Sequence, residues 1–219
     1  MSAGRSEYND YPDNMKKLIK KIQYIMPRDN NTREIAEKIT ERELFCACDP
    51  TMLIDRNIYK TELPKKINGK KYLLIYAYEV SKPLRKKIKK YAKKHELKIV
   101  SAGFYCIWAD YNINCKSMQL YSLAENADCV ITTTFHGTIF SILSKSRFVS
   151  VPGQSVNKVG DLLNRFDLSH HLLSEATRYE KFESVVSENI YYDKVYEILD
   201  KYSSDSADLF LEQLKIIGS

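Results

Sequence analysis

Short apolar runs alternate with amphipathic stretches through most of the chain, and the alternation predicts strands and helices in turn. Cys129 to Ile131 is apolar without interruption, the pattern of a parallel strand covered on both faces. It passes through Thr132, Thr133, Thr134 and a Phe135-His136-Gly137 corner into a stretch where Ile139, Ile142 and Leu143 keep a helical period. Upstream, Lys71 to Tyr78 reads as a buried strand, Ser81 and Pro83 open a basic helix, and Leu97 to Val100 is the next strand. Ser117 to Asn126 is a short helix before the central run. Arg147 to Val151 is a strand ended by Pro152-Gly153, and a polar loop, Gln154 to Asn157, leads to a helix over Lys158 to Phe166 with Val159, Leu162 and Leu163 inward. Strand and helix alternating at this spacing predict an α/β fold with a doubly wound parallel sheet.

The flanks are less regular. Asp13 is placed to cap a helix over Asn14 to Lys21, and Ile22 to Met26 reads as a short strand. After a polar loop, Pro27 to Thr32, Thr32 is the expected cap of a helix running to Thr40, with Ile35, Ala36 and Ile39 as its buried stripe. Leu44 to Ala47 reads as another strand, Thr51 to Ile54 as one turn, and Asp55 to Asn68 as a charged connection without periodicity. Ser101 to Cys115 is an aromatic loop with Phe104, Tyr105, Trp108 and Tyr111, either packed as lid or core or presented to a substrate. Tyr191 to Tyr202 and Ala207 to Ile217 read as a helix pair or one helix with an irregular middle. Leu209, Phe210, Leu214 and Ile217 form an apolar face expected to dock on the sheet domain.

Composition narrows the class. The chain has 219 residues, 44% apolar and 28% charged, enough for an ample core. It holds no run of 18 apolar residues and opens on no secretory apolar segment, so no integral membrane segment and a cytoplasmic location are expected. Cys46, Cys48, Cys106, Cys115 and Cys129 match no zinc spacing, and reduced thiols with no metal are the expectation. A net charge of +6 invites a nucleic-acid reading, but much of the excess lies between Lys82 and Lys98. There Leu84, Ile88, Tyr91 and Ala92 fall on one helical face and the lysines mostly on the other. A solvated crossover helix accounts for this, with a polyanion or membrane-surface patch as the alternative, and no nucleic-acid partner is expected.

In an open α/β sheet ligands bind outside the carboxyl ends of the strands, which is where His136 falls. Imidazole can give or accept a proton near neutrality, and a helix start beside it offers N–H groups to an anion. Gly137 permits close backbone approach, and Thr133, Thr134, Thr138 and Ser141 carry hydroxyl donors. A purely structural histidine remains the alternative at this point. His95 reads as a surface residue ending the basic helix. His170 and His171 are adjacent in a connector and do not face one ligand well on a helix. No phosphate loop, dinucleotide fingerprint, nucleophile elbow or zinc-protease motif is present.

Thr132-Thr133-Thr134-Phe135-His136-Gly137-Thr138-Ile139-Phe140-Ser141 resembles the Thr-Asp-Ser-Phe-His-Gly-Thr-Ala-Phe-Ser signature of the polysaccharide pyruvyl transferase family. Pro27 to Thr32 resembles its Val-Arg-Glu/Asp…Thr region, Asp49-Pro50-Thr51-Met52-Leu53 its Asp-Pro-Thr segment, and Asn157 to Leu163 its basic-hydrophobic-x-Asp-Leu-Leu segment. Tyr192-Asp193-Lys194-Val195 through Ser206-Ala207-Asp208 resembles its C-terminal helices. Two departures stand out. Thr133-Thr134 replaces the common Asp-Ser, and Thr134 stands where some members carry Arg. Ser2-Ala3-Gly4 resembles the segment closing the family's first half, so most of an N-terminal domain is expected to be missing.

The resemblance implies the C-terminal half of a glycosyltransferase-B-like fold. Residues 1–23 would be a remnant or linker, 24–188 a Rossmann-like donor-binding domain, and 189–219 C-terminal helices packing on it. It implies transfer of a pyruvyl group from phosphoenolpyruvate to sugar hydroxyls of an exopolysaccharide or cell-envelope glycan, with no separate cofactor and no metal. His136 would be the general acid. Arg28, Arg33, Thr133, Thr134, Gly137, Thr138 and Lys158 would bind the donor's anionic groups. The partners would be that small-molecule donor and a glycan acceptor, with a homodimer or the missing N-terminal domain completing the assembly. The alternatives are an inactive binding module that kept the fold, and a nucleotide-sugar glycosyltransferase domain.

Overall fold

The computed structural model describes residues 7–153 and 155–217; Ser2-Ala3-Gly4, Gln154 and the side chain of Ile217 lie outside the described part. The chain divides into two compact units, residues 55–193 and residues 1–54 with 194–219.

The first of these units carries five strands, β1 (Tyr72–Tyr76), β2 (Lys98–Ala102), β3 (Tyr111–Ile113), β4 (Cys129–Thr132) and β5 (Phe148–Ser150). They form one sheet in the order β3-β2-β1-β4-β5, with every pair parallel. The doubly wound α/β expectation is met. Within the aromatic loop the structure adds β3, an edge strand of three residues too short for an alternation signal. β1 starts two paths, through β2 to one side and, later in the chain, β4 on the other, so the order of strand addition reverses between β1 and β4 while every strand stays parallel.

Alternation along the strands divides the core between the two faces. Leu73, Ile75, Cys129, Ile131 and Val149 pack with Leu84, Ile88 and Tyr91 of the basic helix α3 (Lys82–Lys94) and with Phe182, Val185 and Val186. The last three belong to a further helix over Tyr179–Ser187. Ser81 caps α3 as expected, its hydroxyl accepting from the Leu84 N–H. Alternate residues face the helices α4 (Ser117–Glu125) and α5 (Phe135–Leu143), where the Tyr72 hydroxyl donates to the Leu123 carbonyl at 2.7 Å. The cation-bearing face of α3 is engaged as well as solvated: Arg85 lies over the Trp108 ring, Lys90 over Tyr179, and Lys94 pairs with Glu183. The helix α6 (Val156–Arg165) follows β5, and α7 is the Tyr179–Ser187 helix. All five cysteines are free; Cys129 is fully buried, and that burial pushes its thiol well above the ordinary range.

In the second unit, α1 (Asp13–Lys20) and α2 (Asn30–Thr40) bury Tyr11, Ile19, Ile25, Ile35, Ala36 and Ile39 together. Neither Ile22–Met26 nor Leu44–Ala47 is a strand. The Ala47 N–H donates to the Pro27 carbonyl at 2.7 Å, but Pro27 has no N–H to return and no ladder develops. The cap of α2 is Asp29 rather than Thr32: its buried carboxylate accepts from the Thr32 N–H and from the Thr32 hydroxyl, both at 2.8 Å. Thr32 is a helical residue that holds its own cap.

The tail is one continuous helix, α8 (Tyr192–Ile217), without an irregular middle. Two of its serines bond back to the backbone: Ser203 Oγ donates to the Leu199 carbonyl at 2.8 Å and Ser206 Oγ to the Tyr202 carbonyl at 2.7 Å. Ser206 Oγ also accepts from the Cys48 N–H at 2.9 Å, tying the helix to the segment before Pro50. Along α8 Leu209 is half-buried, while Phe210, Leu211 and Leu214 are exposed. Among the described residues no helix is long and apolar enough to cross a membrane.

Replacing Asp29 with Ala removes both bonds at the start of α2 and is expected to lower stability by about 1–2 kcal/mol. Thr32→Val keeps the N–H bond and is expected to cost less. Urea denaturation of the two variants against the parent chain checks the ranking.

Candidate functional site

The corner after β4 is built around the hydroxyl of Thr132, the last residue of the strand. It donates to the Tyr76 carbonyl at 2.8 Å and accepts from the Thr134 N–H at 3.1 Å. With its single proton spent on Tyr76, the 3.2 Å contact with Thr134 Oγ1 has Thr134 as donor. Thr134 Oγ1 in turn accepts from the Gly137 N–H at 2.9 Å and so caps α5. Deeper in, Thr138 Oγ1 donates to the Thr134 carbonyl at 3.0 Å and meets Ser150 Oγ at 2.7 Å, while Ser141 Oγ donates to the Gly137 carbonyl. Thr132, Thr134, Thr138, Ser141 and Ser150 are all buried. These hydroxyls satisfy one another and the backbone, locking the strand to the helix.

Gly137 belongs to this lock. A Cβ on it would stand 2.0 Å from Thr132 Oγ1 and 2.8 Å from Thr134 Oγ1, so the missing side chain is where the strand end and the first helical turn touch. The structure shows Thr132 filling the space.

His136 is the second residue of α5 and is exposed. Phe135, half-buried, lies edge-on to its imidazole with ring centroids 5.6 Å apart. Thr133, also half-buried, donates its N–H to the Tyr76 carbonyl, and its hydroxyl takes no part in the lock. Thr132 pairs in register with Tyr76, the end of β1, so His136 stands at the carboxyl ends of the two strands between which the strand order reverses. That position is the general ligand crevice of an open α/β sheet. Lys158 is half-buried in the first turn of α6, the helix that follows β5, and β5 is the strand beside β4.

Aromatic residues that the sequence did not assign to this crevice line its β1 side. Tyr76 and Tyr78 both contact Phe104, with centroids 5.7 and 4.6 Å away. Gly103, at φ +76°, leaves room for the Tyr76 ring: a Cβ there would come within 3.1 Å of it. Burial, with smaller contributions from Tyr78 and Cys115, pushes the Tyr76 phenol up, so it stays a neutral donor. The tyrosines at the end of β1 were visible in the sequence, but only the strand order puts them next to β4.

Arg28 and Arg33 belong to the other unit. Arg28 pairs with Asp49, a buried carboxylate that also accepts from the N–H and hydroxyl of Thr51. The pair joins the Pro27–Thr32 and Asp49–Leu53 segments. Arg33 lies half-buried on α2.

Gly137→Ala is expected to destabilise by about 1–3 kcal/mol through overpacking against Thr132. A loss of that size in denaturant-midpoint measurements, with no ligand present, identifies the glycine as part of the fold.

A family model described as polysaccharide pyruvyl transferase matches residues 2–155 of the chain. No curated protein matches. Among solved structures, a glycotransferase of kitacinnamycin is similar at 13% identity and a TM-score of 0.48, over 70% of this chain and 45% of that one. The chain thus spans less than half the length of that structure.

Proposed function

Because this chain belongs to the polysaccharide pyruvyl transferase family, we propose that residues 55–193 bind the pyruvyl donor phosphoenolpyruvate and supply the acid for its transfer to a glycan hydroxyl. The observation that carries the reading is the placement of His136: an exposed imidazole on the first turn of α5, held by a buried hydroxyl lock at the point where the strand order reverses.

In the proposed reaction protonated His136 gives its proton to the methylene carbon of the donor, which becomes a methyl group. Positive character then develops at C2, and a sugar hydroxyl adds there, losing its proton. The bond from C2 to the phosphate oxygen breaks as a second hydroxyl closes the ketal, and the departing inorganic phosphate takes up that hydroxyl's proton. The lock serves this chemistry by fixing the backbone that carries the imidazole. Lys158 would neutralise charge on the donor, with the Thr133 hydroxyl as a further contact. Thr134, Gly137 and Thr138 would act by holding the corner in shape. Arg28 and Arg33 belong to the other unit, where the Arg28 guanidinium pairs with Asp49.

Calorimetric titration with phosphoenolpyruvate is expected to show saturable binding that weakens in Lys158→Ala. In a pyruvyl-transfer assay, His136→Ala is expected to lower turnover by about 10²–10⁴-fold, the usual contribution of a positioned general acid. Retained turnover in that variant refutes the acid assignment. Saturable binding of a nucleotide sugar with none of phosphoenolpyruvate replaces the donor.

A further inference from the structure

The connector after α6 brings together three side chains that the proposed reaction does not use. His170, His171 and Glu188 each place one donor atom within 4.8 Å of the other two. Adjacent residues on an α-helix point about 100° apart, which is why neighbouring histidines look unpromising in a sequence. Here Ser169–His171 is a single 3₁₀ turn, and the two imidazoles lie with centroids 4.3 Å apart and planes 47° from parallel.

His171 is fully buried and stacked on Phe148 at 4.9 Å. Its Nδ1 is 2.8 Å from the Phe148 carbonyl oxygen. A carbonyl only accepts, so Nδ1 carries the proton and Nε2 offers a lone pair. That Nε2 is buried and has no hydrogen-bond partner. A buried acceptor left in this state is costly unless something occupies its lone pair. The other two groups reach solvent, and His170 Nε2 stands 3.3 Å from Glu188 Oε1. That separation is about the edge of a tetrahedron whose centre lies roughly 2.0 Å from each corner, the bond length zinc makes to nitrogen and carboxylate oxygen.

We propose that His170, His171 and Glu188 form a zinc site with two imidazole nitrogens and one carboxylate oxygen as ligands and the fourth position open to water. Two imidazoles and a carboxylate suit zinc better than magnesium or calcium, which prefer oxygen ligands alone. The bond from Nδ1 to a backbone carbonyl is the outer-shell contact that commonly fixes the tautomer of a metal-bound histidine. None of the five cysteines takes part, so a search for cysteine spacing passes over it. The ion would clamp the 169–171 turn to Glu188, the residue that ends α7. The site stands beside Phe148 at the start of β5, whereas His136 stands at the carboxyl ends of the strands, so neither proposal depends on the other.

Zinc chloride titrated into the chelator-treated whole chain, followed by calorimetry, is expected to give one ion per chain and to raise the thermal midpoint. Cobalt(II) in its place is expected to give the visible absorption of a four-coordinate site. His170→Ala and Glu188→Gln change exposed positions and are expected to leave the metal-free thermal midpoint unchanged while weakening zinc binding at least about tenfold each. Zinc binding that is absent from the parent chain, or that survives either substitution undiminished, overturns the proposal.

Discussion

One hydroxyl governs the corner. Thr132 Oγ1 bonds the carbonyl of the neighbouring strand and the backbone N–H two residues ahead, and it occupies the space where Gly137 would carry a Cβ. The strand end, the cap of α5 and the glycine are therefore one constraint. A larger residue at 137 cannot enter without displacing Thr132, and moving Thr132 loosens Thr134, which holds the Gly137 N–H. His136 sits inside this closed set of bonds while being exposed itself. Rigidity is supplied from behind the imidazole, and access is left in front of it.

The division of labour among these residues explains what the sequence could and could not disclose. The strands β1, β2, β4 and β5 were legible because strands buried on both faces are apolar throughout, and Leu84, Ile88 and Tyr91 marked the inner face of α3 by period alone. β3 was not legible, since three residues inside an aromatic loop carry no period. The N-terminal runs failed in the opposite sense: Ile22–Met26 and Leu44–Ala47 have strand-like composition, but Pro27 withholds the N–H a ladder requires. Thr32 looked like a cap because a threonine before a helical stripe usually is one. The buried Asp29 three residues earlier outcompetes it, its carboxyl accepting both the N–H and the hydroxyl of Thr32.

For the candidate site, position was more legible than role. A histidine between a buried strand and a helix marks the carboxyl edge of a parallel sheet whatever the strand order. That this edge lies at the reversal between β1 and β4, with Tyr76, Tyr78 and Phe104 beside it, depends on pairings among residues far apart in the chain. The hydroxyls around His136 all looked like ligand donors in the sequence, and hydrogen-bond accounting divides them. Thr134 and Thr138 are committed inward and Thr133 is outside the lock. His171 shows the same limit from the other side: its burial against Phe148 comes from tertiary packing, and its neighbours in sequence give no hint of it.

The two margins of the sheet bear on how its edges are kept from pairing with another chain. A parallel sheet ends in rows of unpaired backbone groups that invite another chain to add a strand. At one margin β3 is only three residues long, and Lys66 places its ammonium on the Asn112 carbonyl, putting a charge where a foreign strand would have to bond. At the other, Leu172 makes an isolated bridge to Ser150 and the Leu173 N–H takes the Ser150 carbonyl, so the chain covers the end of β5 with its own backbone. The connector from 169 to 173 thereby works as a guard against edge-to-edge aggregation, and substitutions that loosen it would be felt first as insolubility.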